Sequence, residues 1–126
     1  MANNMKKAKK ILVVEDEPTL VKAIETKLVK LGFEVVTAAN GEEGLRQARS
    51  ENPDLILLDI IMPVMDGLTM LKELRKTSDV PVIILSNLSS DEKLSEALRS
   101  GSHDYLIKTN YSLEEVAEKI NKVLAE

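Results

Sequence analysis

The stretch that decides the fold is Leu55–Asp59 (LILLD), four consecutive aliphatic residues followed at once by an acid. An apolar run of this length without polar alternation is typical of a strand covered on both faces, as strands of parallel sheets are. Ile11–Val14 and Val80–Leu85 have the same character. The three runs predict the centre of a parallel sheet.

Strand-like and helix-like segments alternate five times along the 126 residues. Two further strands are expected at Phe33–Ala38 and Tyr105–Ile107, and helical apolar spacing occupies the intervals between strands. The pattern predicts an α/β fold, a doubly wound (βα)₅ parallel sheet of five strands with right-handed crossovers. The strand order 2-1-3-4-5 is the common one for this set of elements, and we adopt it by analogy with known folds. Helix boundaries are expected at Pro18, at the stops Gly32 and Gly101, and at the capping residues Asn40, Asp66, Ser89 and Ser112.

Composition narrows the class of protein. With 44% hydrophobic and 30% charged residues but only 2% aromatic ones, the chain fits one soluble domain with an aliphatic core. The net charge of −4 argues against a nucleic-acid-binding face, and the absence of cysteine excludes disulfides and thiolate sites. No apolar stretch suits a signal peptide or a membrane span. We expect a flexible basic leader over residues 1–8, a single domain over residues 9–126, and a cytoplasmic location.

Polar residues follow four of the predicted strands. Glu15 and Asp16 come after the first strand, Asp59 after the third, Ser86 after the fourth and Lys108 after the fifth. Ligands of open α/β sheets bind beyond the carboxyl ends of the strands, so these side chains should converge in one crevice.

A divalent cation would resolve the repulsion among the three carboxylates of that crevice. Mg²⁺ prefers oxygen ligands and is usually held by one or two carboxylates together with a substrate phosphate. Asp59 can then act as a carboxylate nucleophile that forms an aspartyl-phosphate. Lys108 can place a positive charge on the phosphoryl oxygens, and Ser86 can donate a hydrogen bond to them.

Here the chain resembles the receiver domain of two-component response regulators, of the CheY-like, flavodoxin-like fold. The resemblance covers essentially residues 9–125, and the matching segments are Val13–Pro18 (VVEDEP), Asp59–Gly67 (DIIMPVMDG), Ser86 and Asp104–Lys108 (DYLIK).

The resemblance implies a role for each matching site residue. Asp59 is the expected phosphoacceptor; Asp16 binds Mg²⁺ directly, Glu15 through water and Ile61 through its backbone carbonyl. Ser86 and Tyr105 are the expected switch residues, and Lys108 contacts the phosphoryl group.

The resemblance also implies partners. The phosphoryl donor would be a histidine kinase or a phosphotransfer protein. A downstream protein would read the face formed by helix four, strand five and helix five. We expect no direct nucleic-acid or membrane binding, a monomer or a phosphorylation-dependent dimer, and no enzymatic activity beyond the domain's own phosphorylation and dephosphorylation.

Two residues depart from the family pattern. Thr109 stands after Lys108 where a proline with a cis bond is usual, and a non-proline cis bond costs about 2.5–4 kcal/mol. Asn87 follows Ser86 where a small residue is more common. The loop after Lys108 is therefore expected to differ from the family's, and Thr109 leaves open a degenerate receiver that acts as a phosphorylation-independent interaction module.

Other functions fit the sequence less well. A haloacid dehalogenase-type phosphohydrolase needs a second acid two residues after the nucleophile, where this chain has Ile61. A nucleotide or flavin site lacks a glycine-rich loop after the first strand. Whether the chain is a natural single-domain receiver or part of a larger regulator stays open.

Overall fold

Within residues 8–86, 91–107 and 112–126, which the computed structural model describes, strand and helix alternate five times. Side-chain surroundings are described for these residues except Ser86, residues 91–94 and Ile107. None of the helices in these ranges has the length and apolar character that crossing a bilayer requires. The elements are β1 (Lys10–Val14), α1 (Pro18–Lys30), β2 (Glu34–Ala38), α2 (Gly41–Glu51), β3 (Leu55–Leu58), α3 (Gly67–Leu74), β4 (Val82–Ser86), α4 (Asp91–Arg99), β5 (Asp104–Ile107) and α5 (Leu113–Leu124).

The five strands form one parallel sheet in the order β2-β1-β3-β4-β5, which confirms the predicted fold class and strand order. The register is in step across the centre of the sheet, since Val14 of β1 lies opposite Leu58 of β3, and Leu58 opposite Ile84 of β4. The residues that follow β1 and β3 therefore leave the sheet side by side at its carboxyl edge.

Helices cover both faces of the sheet, as the unbroken apolar strands predict. In β1 the alternation is visible residue by residue, because Leu12 and Val14 pack with α2, α3 and α4, whereas Ile11 and Val13 pack with α1 and α5. All four of these side chains are fully buried. Burial of such side chains contributes roughly 1.5–3 kcal/mol each, which makes the two aliphatic layers the main source of stability.

The described helix ends carry the expected signals. The side chains of Asn40, Asp66 and Ser112 each accept a hydrogen bond from the backbone N–H three residues later. Ser112 forms a complete capping box with Glu115, and Gly32 ends α1 at a φ of 95°.

Five strand boundaries differ by one or two residues from the predictions. β4 ends at Ser86, one residue later than predicted, and two of the other differences have a clear physical cause. β4 begins at Val82 and not at Val80, since Pro81 has no N–H to donate to a ladder. β2 begins at Glu34 because the N–H of Phe33 is used to close α1 on the Leu28 carbonyl. β1 and β5 each begin one residue earlier than predicted. Ser89, Asn87 and Thr109 lie outside the described residues, as does the side chain of Glu92, so the proposed cap Ser89–Glu92 stays a prediction.

Candidate functional site

Two acids stand next to each other at the carboxyl edge of the sheet. Glu15 follows β1 and Asp59 follows β3, and backbone bonds fix both, from Glu15 N to the Ala38 carbonyl at 3.0 Å and from Asp59 N to the Val14 carbonyl at 2.9 Å. Both residues are buried, with 1% and 4% of their surface exposed. Their position follows directly from the register of two apolar strands that each end in an acid.

Asp16 joins these two residues from the solvent side. One carboxylate oxygen from each of Glu15, Asp16 and Asp59 can be chosen so that all three lie within 4.8 Å of one another. The Glu15 carboxylate is oriented locally, because its Oε2 accepts a hydrogen bond of 3.0 Å from the backbone N–H of Glu17. The structure thus brings together the three acids that the sequence predicted.

The chemistry of this donor set fits a hard divalent cation. Three carboxylates in a half-buried site repel one another, and oxygen ligands at such spacing suit Mg²⁺, which retains several waters and leaves room for a phosphate oxygen. Ile61, the further predicted ligand, lies two residues beyond Asp59 in the connection from β3 to α3, and its side chain is 58% exposed. The residues present therefore fit the expected metal.

Gly67 closes the base of this connection. Its N–H donates to the Ile60 carbonyl at 2.8 Å, and a Cβ at this position would collide with the carbonyl oxygen of Asp59. From the sequence, Gly67 is only the last residue of the segment Asp59–Gly67 that resembles the receiver family. In the structure it is also the residue that lets α3 begin directly against the backbone of the candidate nucleophile.

The residues predicted to contact a phosphoryl group are only partly described. Ser86 is the last residue of β4 and lies opposite Ile107 of β5, at the same edge as the acids, but its side chain lies outside the described set. Lys108 also lies outside it. Tyr105 pairs with Ile84 and is 40% exposed. The roles of Ser86, Lys108 and Tyr105 thus stay predictions.

Glu15, Asp16 and Asp59 together form what we call the acid cluster. A cavity of about 310 Å³ opens beside this cluster, and the charged side chains that line it are those of Glu15, Asp16, Lys22, Glu25 and Glu43. A larger cavity of about 690 Å³ lies along α1 and reaches Leu113 of α5. It contains none of the predicted site residues, so its size does not make it the candidate site.

Sequence reasoning missed one residue that touches the site's surroundings, Gly41. Its backbone N–H donates to the Met65 carbonyl at 2.8 Å, in the connection that follows Asp59. The available signal was a glycine at the first position of a helix directly after the capping residue Asn40, where glycine is a poor helix former.

Comparisons with a family model, with curated proteins and with solved structures all point to the same family. The family described as the response regulator receiver domain matches residues 11–121. Probable transcriptional regulator ycf27 of Pyropia yezoensis is 44% identical over 115 residues, which cover 91% of this chain and 47% of that protein. The chain therefore spans about half the length of the curated relatives it matches.

Solved structures agree in fold. The receiver domain of Francisella response regulator 1452 superposes with a TM-score of 0.86 at 39% identity, covering 93% of this chain and 97% of that one. The CheX–CheY–BeF₃–Mg²⁺ complex of Borrelia burgdorferi matches with a TM-score of 0.85 at 28% identity, over 94% of this chain and 90% of that one.

Proposed function

Because this chain belongs to the response regulator receiver domain family, we propose that it is a phosphorylation switch that accepts a phosphoryl group on Asp59. The observation that carries the proposal is the position of Asp59, buried at the carboxyl end of the central strand with two further carboxylates beside it. A purely structural role would not require three acids in one place, since their mutual repulsion costs stability.

The proposed donor is the phosphohistidine of a histidine kinase or a phosphotransfer protein. A carboxylate oxygen of Asp59 attacks the phosphorus, and the new O–P bond forms as the N–P bond breaks. The electron pair of the broken bond returns to the imidazole nitrogen, which takes up a proton from solvent. Hydrolysis by water releases phosphate and regenerates the carboxylate, so the domain changes no substrate other than itself.

The acids have distinct tasks in this scheme. Asp16 and Asp59 would hold Mg²⁺ directly, Glu15 through a water molecule and Ile61 through its carbonyl. The ion would neutralise charge on the transferring phosphoryl group, which is most of what phosphoryl transfer requires from its surroundings. The hydrogen bond from Glu17 N to Glu15 fixes the carboxylate that would orient the metal-bound water.

The proposed output is a change in the face formed by α4, β5 and α5. Lys108 and the Ser86 hydroxyl would contact the phosphoryl group, and Tyr105 would repack as Ser86 moves. Phosphorylation shifts such an equilibrium only through a difference in affinity for the two states. Ser86→Ala is therefore expected to take up the phosphoryl group but to lose the accompanying change in the NMR signals of Tyr105. If the Tyr105 signals of phosphorylated Ser86→Ala change as they do in wild type, Ser86 has no part in the switch.

The ycf27 relatives are named as probable transcriptional regulators, and the matched part is about half of their length. We propose accordingly that the output of this domain reaches transcription through another domain or a partner protein. The acidic net charge of −4 disfavours direct contact of this domain with DNA.

Intact-mass spectrometry after incubation with acetyl phosphate tests the phosphoacceptor. Wild type should gain one phosphoryl adduct when Mg²⁺ is present, while Asp59→Asn should gain none. Glu118→Gln, which removes an exposed acid on α5, should behave as wild type. If wild type gains no adduct from acetyl phosphate or from a phosphohistidine donor, the chain is a degenerate receiver that acts by binding alone.

A further inference from the structure

The connection from β3 to α3, residues 59–66, is what we call the acid-site loop. Among the described residues, three backbone hydrogen bonds involve its inner residues, 60–65. Gly67 N donates to the Ile60 carbonyl at its base, and Met65 N donates to the Pro63 carbonyl at its tip, both at 2.8 Å. The third comes from outside the loop, from Gly41 N at the start of α2 to the Met65 carbonyl, again at 2.8 Å.

The tip of the acid-site loop is strained. Val64 has a φ of 69° and sits between the donor Met65 and the acceptor Pro63, which makes it the central residue of a γ-turn of the rare, strained type. Such a conformation in a β-branched residue persists only when its surroundings impose it. The Val64 side chain is 77% exposed, so the constraint must come from its neighbours and not from packing of its own.

Met65 supplies that constraint from both its side chain and its backbone. Its side chain packs against the aliphatic core under α2 and α3, and its carbonyl is held by Gly41. The first N–H groups of a helix have no partner within the helix, so the Gly41 amide is available for this contact. The start of α2 therefore acts as a fixed support for the loop.

Only glycine allows this approach. A Cβ at position 41 would stand 2.5 Å from the Met65 carbonyl oxygen, 2.9 Å from its Cγ and 3.0 Å from the Asp66 carbonyl oxygen. Two of these three atoms belong to the backbone, so a side chain at position 41 would displace the loop itself. Met65 and Asp66 belong to the same loop as Asp59 and Ile61.

We propose that Gly41 is a positioning residue for the metal, acting through Met65 to hold the acid-site loop where the Ile61 carbonyl and Asp59 can bind Mg²⁺ together. This inference rests on the proposed function, because Ile61 is a ligand only in that proposal. Glu15 and Asp16 lie on the segment directly after β1, so displacement of the loop would separate one half of the ligand set from the other.

Isothermal titration calorimetry with Mg²⁺ on the unphosphorylated protein tests this role without any reaction. Gly41→Ala should weaken Mg²⁺ binding on the order of tenfold, as the loss of an outer support of a metal site typically does. The matched control is Gly44→Ala in the same helix, where a Cβ would crowd Met70 Sδ and Val14 Cγ1, each at 2.9 Å, and not the loop. Gly44→Ala should bind Mg²⁺ with the wild-type affinity.

Equal Mg²⁺ affinity in wild type and Gly41→Ala would overturn the inference while leaving the proposed function intact. An equal loss in both variants would overturn it too, since general disturbance of α2 would then be the cause. Absence of Mg²⁺ binding in wild type would instead contradict the metal site itself.

Hydrogen exchange in the wild-type protein decides the question if Gly41→Ala does not fold. Mg²⁺ should slow exchange of the Gly41 amide more than that of the Gly44 amide, which is bonded to the Asn40 carbonyl within the same turn. Equal slowing of both amides would refute the role of Gly41.

Discussion

Replacing Asp59 with asparagine is expected to stabilise the metal-free protein, although the proposed function depends on this residue. The carboxylate oxygens of Glu15, Asp16 and Asp59 lie within 4.8 Å of one another. Two unit charges at that separation repel by about 3.5 kcal/mol at an effective dielectric constant of about 20. Asp16 is exposed and its share is screened by solvent, so the buried pair of Glu15 and Asp59 accounts for most of the effect.

The net gain on Asp59→Asn should be about 1–3 kcal/mol in the free energy of unfolding, because asparagine keeps the shape of the side chain and loses the charge. Urea denaturation with a chelator present measures it. Glu118→Gln is the matched control, since it removes one exposed acid far from the cluster and should change stability by less than about 0.5 kcal/mol.

Added Mg²⁺ should offset most or all of the stability advantage of Asp59→Asn over wild type. At a concentration roughly 100-fold above its dissociation constant, a ligand that binds only the folded state raises the free energy of unfolding by about 2.7 kcal/mol. Only wild type should gain that full amount, because Asp59→Asn lacks one of the proposed ligands. Repulsion within the group of three acids is refuted as the cause if Asp59→Asn is no more stable than wild type in chelator. Equal stabilisation of both proteins by Mg²⁺ would refute the part of Asp59 in metal binding.

Three further substitutions test individual structural features by urea or thermal denaturation. Val64→Gly should raise the free energy of unfolding by about 1 kcal/mol, because relief of strain at a φ of 69° exceeds the entropy that glycine adds to the unfolded chain. A lower free energy of unfolding would contradict the strained turn. Ser112→Ala removes the cap of α5 and should cost about 1 kcal/mol, or roughly 4 °C in Tm, and an unchanged Tm would show that the capping box contributes nothing. Gly67→Ala should cost roughly 2–3 kcal/mol, since its Cβ meets the Asp59 backbone; a cost under about 0.5 kcal/mol would mean that α3 shifts freely.

The fold could be predicted from the sequence because its signals are local and agree with one another. Leu55–Leu58 is apolar on both faces, and the structure buries all four residues between two layers of helices. The helix caps Asp66 and Ser112 could be predicted because a short polar side chain directly before an apolar stripe of helical spacing is typical of a helix N-terminus. Local signals could not supply the strand order, because that order depends on contacts between distant segments; analogy with known folds supplied it, and the sheet confirms it.

The acid cluster was predictable for a simple geometric reason. Parallel strands end at the same edge, so acids directly after two neighbouring strands must be close, and Glu15 and Asp59 are. The support of the acid-site loop was not predictable, because nothing in the sequence says that the first residue of α2 contacts Met65. A glycine at a helix start indicates a close approach but not what approaches.

Identification of the phosphorylated residue is the most direct test of the central claim. The protein would be treated with a phosphohistidine donor and Mg²⁺, then reduced with borohydride, which converts an aspartyl-phosphate to homoserine, and digested for tandem mass spectrometry. If Asp59 is the phosphoacceptor, homoserine should appear at position 59 alone, with none when Mg²⁺ is withheld. Homoserine at another acid, or at position 59 regardless of Mg²⁺, would contradict this role of Asp59.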